Sequence, residues 1–160
     1  MNVLIADDET LQRDLLTQMV SRWGHTVTVA ADAAYALELA RSRPFDLFIL
    51  DVYLPDMTGM ELIPLVKELQ PEARIITMTG ASSRTLEGRL RELGISYYMA
   101  KPFQRQELES LLEHIASRAG VSRESAGAKP AGVPTDRASA NGSRRHHCSS
   151  RCGSERKGSR

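Results

Sequence analysis

Acidic, hydroxyl and ammonium side chains follow short apolar segments at several separate points of this 160-residue sequence. Asp7 and Asp8 follow the first such segment, Asp51 follows the most apolar one, and Thr79 and Lys101 follow two later ones. Two carboxylates about 4 Å apart repel by roughly 4 kcal/mol at an effective dielectric of about 20. A cluster of them must therefore hold a proton or bind a cation. Oxygen-only ligands with room for water favour Mg²⁺ or Mn²⁺ over zinc.

A divalent cation beside an ammonium and a hydroxyl would hold phosphoryl oxygens, which is the main requirement of phosphoryl transfer. Asp51 is then the natural carboxylate nucleophile. Taken singly, an Asp at a strand end more often caps a turn or a helix, and Asp46 and Asp56 are explained in that way. Thr79 alone would be a capping hydroxyl and Lys101 alone a solvated charge. The joint arrangement at four strand ends favours a functional site.

The apolar segments alternate with amphipathic ones that have helical periodicity. The predicted strands are residues 3–6, 26–30, 46–51, 74–78 and 95–100. The predicted apolar stripe of the first helix consists of Leu11, Leu15, Met19, Val20 and Trp23. Gly24 and Gly94 are expected to end the first and fourth helices, and Pro64 to bend or weaken the third. Five β/α repeats with short connections predict a parallel sheet covered by helices on both faces.

Charge and apolar residues are unevenly distributed along the chain. Residues 1–120 contain 12 basic and 17 acidic residues, whereas residues 121–160 contain 9 basic and 3 acidic ones. Past residue 120 the only sizeable aliphatic residues are Val121 and Val133. Such a segment buries too little apolar surface to offset its ordering entropy. We therefore expect a domain over residues 1–119 and a basic, low-complexity, disordered tail over residues 120–160.

The tail offers only weak functional signals. His146, His147, Cys148 and Cys152 are possible metal ligands, but their spacing departs from structural zinc patterns. Forty residues without a core cannot form a helix-turn-helix domain. The basic run could bind nucleic acid by charge, although such runs are usually only solvated. The apolar runs of the chain are too short for a membrane span or a secretory signal, so we expect a cytoplasmic protein without membrane contact.

Four blocks of the sequence resemble the receiver domain of bacterial two-component response regulators. The resemblance extends over residues 2–118. Its blocks are Ala-Asp-Asp-Glu at 6–9, Leu-Asp-Val-Tyr-Leu-Pro-Asp-Met-Thr-Gly at 50–59, Met-Thr-Gly-Ala at 78–81 and Tyr-Met-Ala-Lys-Pro-Phe at 98–103. It implies a flavodoxin-like (βα)5 fold with strand order 2-1-3-4-5, here as a stand-alone receiver domain.

The resemblance also implies a set of roles around the acidic cluster. Asp51 would accept a phosphoryl group from a sensor histidine kinase or a histidine phosphotransfer protein. Asp8, Asp51 and the backbone carbonyl of Tyr53 would bind Mg²⁺ (or Mn²⁺), and Asp7 would contribute through water. The chain would thus be a phosphoacceptor switch that signals by docking to other proteins, not an enzyme.

The same resemblance assigns a switch to the last two strands. Thr79 and Lys101 would hold the phosphoryl oxygens, and the bond from Lys101 to Pro102 would be cis. Tyr98 would turn inward when Thr79 moves toward the phosphate. This movement would alter the surface formed by the fourth helix, fifth strand and fifth helix, where a downstream protein would bind.

Three other classes of protein remain as alternatives. A phosphohydrolase with an aspartyl-phosphate intermediate would want a catalytic acid two residues after the nucleophile, where this chain has Tyr53. A flavin-binding module shares the fold, but the carboxylates would repel the phosphate of the flavin. A nucleic-acid binder would rely on the basic tail. Tyr53 is instead expected to shield the acyl phosphate from water and to set its lifetime.

Overall fold

Each predicted apolar segment forms a strand in the structure, a computed structural model that describes residues 1–124. The elements in chain order are β1 (Asn2–Ala6), α1 (Thr10–Arg22), β2 (Thr26–Ala30), α2 (Ala33–Ser42), β3 (Leu47–Asp51), α3 (Gly59–Leu69), β4 (Arg74–Thr79), α4 (Arg84–Glu92), β5 (Tyr97–Ala100) and α5 (Arg105–Glu124). The fifth strand begins at Tyr97, two residues later than predicted. The third helix continues through Pro64.

The five strands form one parallel sheet in the order β2-β1-β3-β4-β5. This confirms the predicted flavodoxin-like fold. The central strand β3 is buried along its whole length. Phe48 and Leu50 belong to one apolar core, and Leu47 and Ile49 to the other, because successive side chains of a strand point to opposite faces. The sheet is therefore covered on both sides, which leaves its strand ends as the place for polar chemistry.

The first helix corrects one sequence-based expectation. Leu11 is 79% exposed and Leu15 is 51% exposed, whereas Leu16 is fully buried together with Val20. The buried residues of α1 are Leu16, Met19 and Val20, whereas the predicted stripe includes Leu11 and Leu15 and omits Leu16. Adjacent leucines at 15 and 16 allow two phases of the helical period, and the sheet selects one of them. The other phase places two leucines in solvent.

The helices differ in how firmly they are attached to the sheet. Helix α3 is fixed at its carboxyl end by Gln70, whose side-chain amide donates to the carbonyls of Ala40 and Arg43 at 2.7 and 2.8 Å. Its Oε1 accepts from the backbone N–H of Phe45 at 2.7 Å. Helix α4, in contrast, has one buried side chain, Leu90. The layer formed by α2 and α3 is thus more firmly held than α4.

Glycine ends helix α1 as predicted. Gly24 has a φ of +79° just past the last residue of the helix. A residue with a side chain adopts this left-handed conformation only at a cost, which explains why glycine stands there.

The carboxyl-terminal boundary stays a prediction. Helix α5 extends to Glu124, beyond the expected domain boundary at residue 119. The remainder of the basic tail lies outside the described residues, and so do the predicted candidate ligands His146, His147, Cys148 and Cys152. Among residues 1–124, no helix combines the length and apolar character needed to cross a membrane.

Candidate functional site

The carboxyl ends of the strands bring the predicted polar residues to one edge of the sheet. Asp51 is the last residue of β3, and Asp7 and Asp8 directly follow β1. The strands β1 and β3 are neighbours with Ala6 opposite Leu50, so the residues that follow this pair, Asp7 and Asp51, lie side by side. Parallel pairing makes this convergence unavoidable, since all strands end at the same edge.

Three carboxylates meet at this edge. Asp7, Asp8 and Asp51 each offer an oxygen, and these oxygens all lie within 4.8 Å of one another. Asp7 is fully buried and Asp51 is 8% exposed, whereas Asp8 is open to solvent. A cluster of this kind repels itself unless a cation or a proton compensates for the charge. An all-oxygen cluster with one face in water fits the donor preference of Mg²⁺.

Lys101 supplies part of the compensating charge. Its Nζ donates to Asp7 Oδ2 at 2.7 Å and also to Asp51 Oδ2. Three carboxylates and one ammonium leave two negative charges, which matches a divalent cation. Burial alone would lower the pKa of Lys101, but the hydrogen bonds and charges of Asp51 and Asp7 raise it above its usual value. Lys101 therefore remains an ammonium in this environment.

The backbone positions Lys101 at the cluster. Its N–H donates to the carbonyl of Thr79 at 2.8 Å, which fixes the start of the β5–α5 loop to the end of β4. The peptide bond between Lys101 and Pro102 is cis. The lysine thus reaches the two carboxylates from the strand end on the far side of Thr79.

Asp7 is held by contacts that the sequence does not reveal. Its Oδ1 accepts from the backbone N–H of Glu9 at 2.9 Å. The guanidinium of Arg13, one turn into α1, donates to the Asp7 carbonyl at 2.7 Å. With Lys101 on its other oxygen, the Asp7 carboxylate is fully engaged. Asp8 has greater access to solvent and is the more available ligand.

The β3–α3 loop, residues 52–58, begins beside the acidic cluster, directly after Asp51. The Tyr53 N–H donates to Asp51 Oδ1 at 2.9 Å. An isolated antiparallel bridge joins Tyr53 to Thr58, and the Gly59 N–H donates to the Val52 carbonyl at 2.7 Å. The loop therefore folds back on itself. Tyr53 itself is 53% exposed.

Gly59→Ala is expected to displace this loop. A Cβ on Gly59 would lie 3.0 Å from the Cα of Val52 and 3.4 Å from the carbonyl oxygen of Asp51, both of them backbone atoms. Relief requires movement of the chain beside Asp51, at a cost of about 1–3 kcal/mol. Urea denaturation should show this loss of stability. The matched control is Gly88→Ala, whose Cβ would meet nothing within 4 Å. Equal stability of wild type and Gly59→Ala would contradict the close approach.

Thr79 and Tyr98 lie on adjacent strands behind the cluster. Thr79 is fully buried, and its Oγ1 accepts from the Ala81 N–H at 3.1 Å. Tyr98 pairs in register with Thr77 and is half-buried against the core that contains Leu90. Burial raises the pKa of the Tyr98 hydroxyl. The Tyr98 ring thus lies on the strand next to Thr79, where a movement of the end of β4 would change its packing.

The aspartates that were explained as caps divide into two kinds. Asp46 Oδ2 accepts from the Asn2 N–H at 2.7 Å, at the opposite edge of the sheet from the cluster. Asp56 caps a helix, as predicted, but it caps α2 and not α3, the helix that follows it in the chain. No local signal in the sequence indicates this contact, because 23 residues separate Asp56 from Ala33.

Fold and site together define a CheY-like α/β domain with an acidic rim at the carboxyl ends of its strands. A family model described as the response regulator receiver domain matches residues 3–113. The chain therefore belongs to the response regulator receiver family, as its sequence blocks indicate.

Individual relatives agree with this assignment. The chain is 33% identical over 134 residues to the DNA-binding transcriptional regulator NtrC of Azospirillum brasilense, covering 84% of this chain and 26% of that protein. A CheY-like receiver domain protein of Methanospirillum hungatei superposes with a TM-score of 0.69 at 30% identity, covering 74% of this chain and 96% of that structure.

A second solved structure contains a phosphorylated aspartic acid. A Burkholderia pseudomallei response regulator with a phosphorylated aspartic acid, calcium ion and citrate matches with a TM-score of 0.66 at 28% identity, covering 79% of this chain and 75% of that structure. The chain spans about a quarter of the NtrC and ZraR proteins that it matches, at 26%, 23% and 25% of their lengths. The rest of those proteins is not part of the match.

Proposed function

We propose that Asp51 accepts a phosphoryl group from a phosphohistidine on a sensor kinase or a histidine phosphotransfer protein, and that the modified domain signals by docking to another protein. The observation that carries this proposal is the meeting of Asp7, Asp8 and Asp51 within 4.8 Å, with Lys101 bonded to Asp7 and Asp51. Among the described residues, no other group of three such acidic, histidine or cysteine side chains lies so close together.

The residues fit Mg²⁺ in the proposed arrangement. Asp8, Asp51 and the backbone carbonyl of Tyr53 would hold the ion directly, and Asp7, which is fully buried beside Lys101, would act through water. When bound, the ion would neutralise phosphoryl oxygens and the carboxylates around them. This assignment needs no movement of Asp7 from its buried position.

The side chains then divide the work of the transfer. A carboxylate oxygen of Asp51 attacks phosphorus, the new O–P bond forms, and the N–P bond of the donor breaks with its electron pair returning to the imidazole. Lys101, already an ammonium beside Asp51, binds a phosphoryl oxygen. The Thr79 hydroxyl donates to another, and a movement of Thr79 toward the phosphoryl group would lengthen the bond that its Oγ1 accepts from the Ala81 N–H.

The switch follows from the movement of Thr79. Phosphorylation adds about −1.5 to −2 charge and three strong acceptor oxygens. Movement of Thr79 toward them changes the space that is available to the half-buried Tyr98 ring on the neighbouring strand. The surface of α4, β5 and α5 would respond, and it would be the docking site for a downstream protein.

Two features beside the site suit a phosphohistidine donor. Leu11 and Leu15 form an exposed apolar patch on α1, 79% and 51% exposed. A groove of about 590 Å³ extends from α1 to the loop after Lys101 and is lined by Leu15, Lys101 and Phe103 among others. An apolar helix surface of a partner that packs on these leucines would bring its histidine toward Asp51.

Incubation with Mg²⁺ and acetyl phosphate, followed by intact mass measurement, tests the proposal. The full chain should gain one phosphoryl group, and chelation of the metal should prevent this gain. Treatment with hydroxylamine should remove the group, because it cleaves acyl phosphates. A chain that gains no phosphoryl group in Mg²⁺, from this donor or from a phosphorylated histidine protein, would refute the proposal.

Tyr53→Ala is expected to shorten the lifetime of phospho-Asp51 severalfold. Tyr53 is 53% exposed and its N–H bonds to Asp51, so removal of its ring should give water a more open approach to the acyl phosphate. Decay of the phosphorylated chain, followed by intact mass, measures the lifetime. Tyr53→Phe retains the ring and should decay at nearly the wild-type rate. An unchanged or longer lifetime in Tyr53→Ala would reject the shielding role.

A further inference from the structure

The proposed metal site depends on a backbone atom that lies in a loop. Asp8 and Asp51 are fixed at or directly after strands, whereas the Tyr53 carbonyl lies in the β3–α3 loop. A side-chain ligand can rotate to meet an ion, but a carbonyl is placed only by the conformation of its chain. The contacts that hold residues 52–58 therefore decide whether this ligand is preorganised.

Asp56 connects the middle of that loop to a different helix. Its Oδ1 accepts from the Ala33 N–H at 2.9 Å, and its Oδ2 accepts from the Ala34 N–H at 2.8 Å. These are the first two residues of α2, whose N–H groups have no partner within the helix. Both carboxylate oxygens are used, and the helix dipole adds to their attraction.

The charge state of Asp56 suits this contact. The hydrogen bond from Ala33 is the largest influence on its pKa and lowers it, the bond from Ala34 acts in the same direction, and burial opposes both. Asp56 is exposed to solvent and yet makes two charge-assisted hydrogen bonds to one helix end. A turn residue with only a local role would not need both oxygens on another element.

A second aspartate caps the same helix without touching the loop. Asp32, the residue before α2, accepts from the Tyr35 N–H at 2.7 Å. Asp32 and Asp56 together satisfy the N–H groups of the first three residues of α2. They differ in one respect: Asp32 belongs to the chain that enters the helix, whereas Asp56 belongs to the loop that carries Tyr53.

We propose that Asp56 is a positioning residue for the metal site: by tying the β3–α3 loop to the amino end of α2, it holds the Tyr53 carbonyl where Mg²⁺ needs it. The inference rests on the proposed function, which supplies the metal. It makes α2 a support of the site, although no residue of α2 is a ligand.

Isothermal titration of Mg²⁺ into the full chain, without any phosphodonor, tests this role. Asp56→Ala should weaken Mg²⁺ binding about tenfold, as loss of a residue that orients a metal ligand typically does. Asp32→Ala removes a cap from the same helix and should lower the melting temperature comparably, while Mg²⁺ affinity stays near that of the wild type. Asp56→Asn retains one oxygen acceptor and should fall between wild type and Asp56→Ala, and it serves if the alanine variant does not fold.

The outcomes distinguish a failure of the positioning role of Asp56 from a failure of the proposed function. Wild-type affinity in both Asp56 variants would overturn the positioning role and leave the proposed function standing. Equal weakening in Asp32→Ala and Asp56→Ala would also overturn it, because helix stability alone would then explain the effect. A wild-type chain that binds no Mg²⁺ would overturn the proposed function and this inference together.

Discussion

Asp51→Asn is expected to lose the entire phosphoryl gain in Mg²⁺ and acetyl phosphate, because an amide cannot serve as the nucleophile. The replacement has nearly the same shape, and its carbonyl oxygen can still accept from the Tyr53 N–H that now bonds Asp51 Oδ1. The fold should therefore be retained, and circular dichroism would verify this. Intact mass after a fixed incubation gives the yield for each variant.

Asp46→Asn is the matched control for this experiment. Asp46 is also an aspartate of the β3 region, but it bonds to Asn2 at the opposite edge of the sheet. Its asparagine variant should gain a phosphoryl group as the wild type does. A gain that persists in Asp51→Asn would place the acceptor on another side chain, and peptide mapping would identify which one.

Lys101→Met is expected to lower the free energy of unfolding by about 3 kcal/mol in the absence of metal, the usual cost of removing one partner from a buried ion pair. Asp7 is fully buried, and Lys101 supplies the ammonium that bonds its Oδ2. Without that ammonium, three carboxylates repel one another with no cation between them. Added Mg²⁺ should restore part of the loss by binding the folded state. Urea denaturation with and without Mg²⁺ measures both effects.

Lys67→Met provides the comparison, because it removes a half-buried lysine of α3 that has no part in the acidic cluster. Its stability should change little and should not gain from Mg²⁺ beyond the wild-type response.

Lys101→Met should also accept phosphate slowly while losing the response of the Tyr98 ring. A Lys101 variant as stable as the wild type without metal would mean that the carboxylates are compensated in another way.

The site was predictable to the extent that it depends on strand ends. Periodicity identified five strands, parallel order follows from the β/α alternation, and a parallel sheet brings its carboxyl ends to one edge. Asp7, Asp51 and Lys101 therefore had to approach one another, and the structure joins them by direct hydrogen bonds. Their separation along the chain, up to 94 residues, was no obstacle to this inference.

The contacts that hold the site were less predictable. Arg13 reaches the Asp7 carbonyl, and Asp56 reaches the end of α2, because loops bring these residues together. No period or spacing in the sequence indicates such contacts. The predicted buried face of α1 was also wrong, because Leu15 and Leu16 both fit the helical period and only the position of the sheet shows which of them is buried. Sequence reasoning found the groups that would perform the chemistry and missed those that keep them in position.

The hydrogen bonds of Gln70 have a mechanical consequence. Gln70 joins the carboxyl end of α3 to the chain that leaves α2. Asp56, in the loop before α3, accepts a hydrogen bond from the first residue of α2. Helices α2 and α3 are thus held together at both ends, whereas α4 has Leu90 as its one fully buried side chain. A change of structure at the acidic rim should therefore displace α4 more than α2 and α3, because few contacts hold α4 in place. Deuterium uptake should consequently be faster in α4 than in α2 and α3.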